Sequence, residues 1–185
     1  MHPDFLGDSY DLVKRTLLVL LGQFGEWQIH PMFRFAFDPL FIDAYEALVG
    51  AGTLTHAPIP FGEQRHAHLH LADAVTNVLF DPDTGIKVAG QRTTRHLMLD
   101  ELVELAQARP TSLTLVFDQS LSRGGEEDAL LAKLGLLQGH GLRALGYFSH
   151  ACFVLTSPQP NLVENARQQL LAAGVPEERL LWPAV

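Results

Sequence analysis

The stretch LTLVFDQSLSRGGEEDALLAKLGLLQGHG, residues 113 to 141, limits the possible folds most sharply. Its first five residues, LTLVF, are apolar except for the β-branched Thr114, as in a strand covered on both faces. The pattern breaks at Asp118, passes through a polar loop with a glycine pair, and resumes with the spacing of a helix that closes on glycine. A strand buried on both faces needs a layer on each side. The sequence therefore predicts a layered α/β fold with a largely parallel, Rossmann-like central sheet.

The flanking segments extend this alternation. DFLGD, at 4 to 8, reads as a short first strand, and a helix follows from about Tyr10 to Gly22, capped by Asp8 or Ser9. EWQIHPMF, at 26 to 33, reads as a strand ended near Pro31, and 41 to 52 as a helix closing on Gly50 and Gly52. A helix is predicted at 97 to 108 and another at 161 to 174. Between these two, LRALGYF and ACFVLTS are either one bent strand or a hairpin turning at Ser149-His150. Residues 53 to 95 are less regular. There HAHLHLA alternates like a strand, VTNVLF reads as a second one, and DPDTG marks a turn before IKV, so an inserted hairpin or a sheet edge is expected. With 185 residues, 47% of them hydrophobic, the chain reads as a single α/β domain, 1–185, with an irregular elaboration around 53–95.

Composition removes some functions. A net charge of -8 argues against a broad basic surface for tracking nucleic acid, while leaving room for a local patch. Cys152 is the single cysteine, so an internal disulfide is excluded. The opening residues lack a basic segment followed by an apolar one, and LLVLLG is too short to span a bilayer. A cytoplasmic protein without membrane contact is expected.

Ligands of open α/β sheets gather at the carboxyl ends of the strands, where Asp118 is predicted to lie. Beside it, Ser120 and Arg123 offer hydrogen bonds and a cationic fork, and Gly124 and Gly125 let backbone amides approach an anion at the next helix start. The loop lacks the lysine of a GxxxxGK[ST] phosphate loop, which disfavours nucleotide hydrolysis of that class. Asp8, at its own strand-to-helix junction, is the expected partner of Asp118 in holding Mg²⁺ or Mn²⁺, with Lys14 near the same cleft and His30 or His150 carrying a proton. These residues predict a metal-dependent phosphate-ester or phosphodiester hydrolase acting on a small phosphate compound or a nucleic-acid end. The rival reading is a non-catalytic anion-binding or homo-oligomeric accessory protein. A zinc site on His66, His68 and His70 ranks second to the aspartate site. A strand would turn all three imidazoles to one side; a helix would align only His66 and His70, with Asp73 or His56 as a further ligand.

Overall fold

The computed structural model describes residues 6–121 and 124–183. Helix α1 (Ser9–Leu20) begins where Asp8 accepts hydrogen bonds from the backbone of Tyr10 at 2.8 Å and Asp11 at 3.2 Å. Its buried face consists of Asp11, Lys14, Leu17 and Leu18, at the three-to-four spacing that keeps side chains on one side of a helix. The first strand expected at 4 to 8 is not formed in its described part, because Leu6 and Gly7 make a turn ahead of the cap. Asp4 and Phe5 lie outside the described residues.

The other elements are β1 (Trp27–His30), α2 (Pro39–Val49), α3 (Glu63–Leu69), β2 (Asn77–Phe80), β3 (Gly85–Lys87), β4 (His96–Met98), α4 (Leu99–Gln107), β5 (Thr114–Phe117), α5 (Glu126–Gly139), β6 (Arg143–Tyr147), β7 (Phe153–Ser157), α6 (Pro160–Ala172) and β8 (Leu180–Leu181). The main sheet runs in the order β1-β2-β5-β7-β6-β8, and β3 pairs with β4 in a separate parallel ribbon. Only β1-β2 and β2-β5 are parallel pairings; β5-β7, β7-β6 and β6-β8 are antiparallel.

The sheet is therefore mixed and mostly antiparallel, which overturns the largely parallel Rossmann-like expectation. The cause is the short link between β6 and β7. Residues 148 to 152 suffice for a hairpin, whereas a return to the opposite edge for parallel pairing takes a dozen residues or more.

The middle segment also departs from its predicted form. HAHL belongs to α3 and His70 opens the 3-10 turn that continues it to Ala74, so Arg65, Leu69 and Ala72 turn inward at helical rather than alternating positions. NVLF becomes β2, inside the sheet between β1 and β5 rather than at its edge.

Alternation along the strands feeds two apolar layers. Leu79, Leu115 and Phe117 pack with Leu17 of α1, Tyr45 of α2 and Val163 of α6; Val78, Phe80 and Val116 pack with Leu69 of α3, Leu102 of α4 and Leu134 of α5. Among the described residues no helix is long and apolar enough to cross a membrane.

Candidate functional site

A cavity of about 320 Å³ opens where the carboxyl ends of β2 and β5 meet the start of α1. Its polar lining includes Asp8, Asp11, Lys14, Asp81, Asp83 and Arg95. Lys14 is the pivot. Its Nζ donates to Asp81 Oδ2 at 2.8 Å and to Asp11 Oδ1 at 3.0 Å, and it stands 4.8 Å from the centroid of the Phe117 ring. Burial works against the ammonium charge, but the carboxylates of Asp81 and Asp11 outweigh it and hold the lysine pKa above its ordinary value.

Tyr45, reaching in from α2, donates its hydroxyl to Asp81 Oδ2 at 2.7 Å. Burial, reinforced by Asp81, pushes the phenol well above its usual pKa, so it remains a donor. Both contacts to Asp81 fall on Oδ2, and no described hydrogen bond reaches Oδ1. Asp8 is similarly one-sided, with Oδ1 accepting both cap bonds. At the mouth, burial would raise the pKa of Asp83, but cations including Arg34 at 3.3 Å and Arg95 at 3.1 Å hold it low.

Asp118 sits at the carboxyl end of β5, as its position after an apolar run suggests, but it faces away from this cleft. Phe80 is in register with Val116, so one step further Asp81 comes level with Phe117, and Asp118 falls on the opposite face. There its Oδ1 accepts from the backbone of Ile86 and of Ser120, each at 3.0 Å, and its Oδ2 accepts from Lys133 at 2.6 Å. Ser120 Oγ lies 2.6 Å from Asp118 Oδ1 and accepts from Lys133 at 2.8 Å. The fully buried Asp118 thus fastens the start of β3 to the end of β5. The structure brings Asp8 and Lys14 into one cleft but leaves Asp118 and Ser120 behind the sheet.

The remaining predicted residues are dispersed. His30 is buried on the layer opposite the cleft; its Nε2 donates to the His68 carbonyl at 3.0 Å and its ring stacks on Phe80. Burial lowers its pKa to about 4, so it is neutral near pH 7. His150 lies near the cleft, stacked on Tyr10 with ring centroids 5.7 Å apart, and its carbonyl accepts from Gln119 at 3.1 Å. Gly125 caps α5 and the Gly124 amide donates to Glu126 at 3.0 Å, so a side-chain carboxylate already occupies that anion position. Ser122 and Arg123 lie outside the described residues.

A second polar group sits at the C-terminal end of α3, where His70 is the cap, and on α4. His66, His70 and Glu104 offer ligand atoms that all lie within 4.8 Å of one another, so the group could coordinate a divalent metal ion. His68 turns the other way, its ring 5.1 Å from that of His30 by centroids, because a helix separates i and i+2. His56 is elsewhere, 3.9 Å from Glu46.

Asp81 is absent from the residues predicted from sequence, although a signal was present: like Asp118, it directly follows a buried strand. Tyr45 and Glu104 carry no local signal, since each gains its role from a partner distant in the chain. No protein-family model, curated protein or solved structure matches this chain.

Proposed function

We propose that the cleft between α1 and the ends of β2 and β5 is the centre of a divalent-cation-dependent phosphate-ester or phosphodiester hydrolase. The observation that carries this reading is the convergence of Asp8, Asp11 and Lys14 with Asp81 and Asp83, from two distant segments, on one cavity. Four carboxylates against Lys14 and Arg95 leave the lining net acidic, which favours a cation over a bare phosphate. Mg²⁺ and Mn²⁺ suit oxygen donors, and Mg²⁺ is commonly held by one or two carboxylates together with substrate phosphate oxygens. Asp8 and Asp81 are the assigned ligands, each through the oxygen that accepts no described hydrogen bond.

The cation would activate water and offset charge developing on the phosphoryl oxygens. Lys14 and Tyr45 hold Asp81 in place, so they are positioning residues. Arg95, which pairs with Asp83 at the mouth, would turn to a bound phosphate, and His150, beside Tyr10, is the proton carrier.

The test is Mn²⁺ binding followed by paramagnetic resonance, with turnover of bis-p-nitrophenyl phosphate and short oligonucleotides. Asp8→Asn and Asp81→Asn, each checked for folding by circular dichroism, are expected to weaken Mn²⁺ binding and to lower turnover at least about 100-fold, the scale on which an interaction made in the transition state is lost. Mn²⁺ binding unchanged in both variants, or no cation-dependent turnover of any of these substrates, would refute the hydrolase reading. Cation and phosphate binding without turnover would leave the non-catalytic anion-binding alternative.

A further inference from the structure

We infer that His66, His70 and Glu104 form a zinc-class transition-metal site that ties α3 to α4, separate from the carboxylate cleft. His66 and His70 are one helical turn apart, and their rings stack with centroids at 4.1 Å. Glu104 enters from α4, with Oε1 2.9 Å from His66 Nε2 and 3.8 Å from His70 Nε2. Donor atoms around a tetrahedral zinc stand roughly 3.3 Å apart, given bonds of about 2.0–2.1 Å. The three side chains therefore need only small rotations to enclose an ion.

A separate observation points to the same ligand. Asp73 Oδ2 lies 2.7 Å from His70 Nδ1. A carboxylate there places the proton on Nδ1 and leaves the lone pair of Nε2 for a metal, as in the carboxylate-histidine-metal arrangement. Without an ion, exposed contacts of this type contribute little to stability.

The scaffold beneath is fixed. Arg65, on α3 beside His66 and just over one turn before the cap residue His70, donates Nε to Glu101 Oε1 at 2.6 Å and Nη2 to Glu101 Oε2 at 2.8 Å, a buried fork between α3 and α4. Glu101 and Glu104 are three apart on α4, so the metal would add a second tie about one turn beyond the first. Two imidazoles and one carboxylate suit Zn²⁺ or Co²⁺ better than Mg²⁺. The ligands border a cavity of about 250 Å³ also lined by Arg92, leaving space for a fourth, exchangeable ligand such as water.

The experiment uses the full chain, stripped with chelator and titrated with Zn²⁺ and with Co²⁺ as a spectroscopic probe. One equivalent should bind, with the intense visible bands of tetrahedral cobalt and a rise in Tm. His70→Ala and Glu104→Gln should abolish both signals; Asp73→Asn, which removes no ligand, should weaken binding by about 10- to 100-fold. None of the three altered side chains is buried, so the fold should survive, and retention of the Mn²⁺ response of the cleft keeps the two sites distinguishable. Equal affinity in all variants would mean an adventitious ion only, and weak octahedral cobalt spectra with no change in Tm would equally overturn the assignment.

Discussion

Lys14 Nζ and Asp81 Oδ2 meet at 2.8 Å across 67 residues of sequence, with both side chains buried, so one ion pair joins α1 to the end of β2. Removing a single member of a buried pair leaves the other charge desolvated. Lys14→Met should therefore lower unfolding free energy by about 3–5 kcal/mol, and adding Asp81→Asn should recover part of that loss. Urea denaturation of both variants measures it; a loss below about 1 kcal/mol, the range of solvent-exposed pairs, would show that water reaches Lys14.

His30 sets an acid limit on stability. Its folded pKa is depressed to about 4 by burial, so the folded state resists protonation more than the unfolded chain does. The stabilisation is present above the unfolded value near 6.5 and is lost as pH falls towards about 4, a difference of about 3 kcal/mol. Burial lowers the pKa of His68 and His96 as well, which adds in the same direction. His30→Gln should flatten the stability profile over that window in chemical denaturation at stepped pH; an unaltered acid slope would assign the effect to other groups.

Gly85 is required by both conformation and space. It adopts φ +132°, and a Cβ there would collide with Asp118 Oδ1 and lie 2.8 Å from the backbone nitrogen of Gln119. Gly85→Ala should cost more than the roughly 1–3 kcal/mol of backbone strain alone, because the bond from Ile86 to Asp118 would also be displaced. Gly90→Ala is the control: φ is +99°, but the nearest atoms within 4 Å belong to the flexible end of Lys87. Comparable losses in thermal unfolding of the two variants would contradict the steric account.

Asp118 and Lys133 form a second buried pair, at 2.6 Å. Asp118→Asn and Lys133→Met should each destabilise, with about 3–5 kcal/mol as the scale for a charge left without its partner. The double variant should lose less than the sum. Additive losses in the double-mutant cycle would show that the two side chains act separately.

Much of the C-terminal half was legible because its apolar runs and glycine stops are local signals: β5 and α5 lie close to their predicted places. Strand direction was harder, since LRALGYF has the same pattern in a parallel or an antiparallel neighbour. The short segment after Tyr147 was the available clue. HAHLH misled because alternating histidines also fit a helix, and the deciding pattern was the inward spacing of Arg65, Leu69 and Ala72. Asp8 and Lys14 do share a cleft, but Asp118 is turned behind the sheet by a one-residue difference in register, which sequence cannot supply.

The short β6-β7 link also bears on the order in which the molecule assembles. Loop-closure entropy favours this hairpin over the pairing of β1 with β2, for which Trp27 must find Asn77. On those grounds the C-terminal half is expected to nucleate folding, and the contact between Lys14 and Asp81 to close late. The cleft then belongs to the part of the chain that opens most readily, and a ligand bound there would slow proton exchange at the backbone amides of β1 and β2 more than at those of β6 and β7.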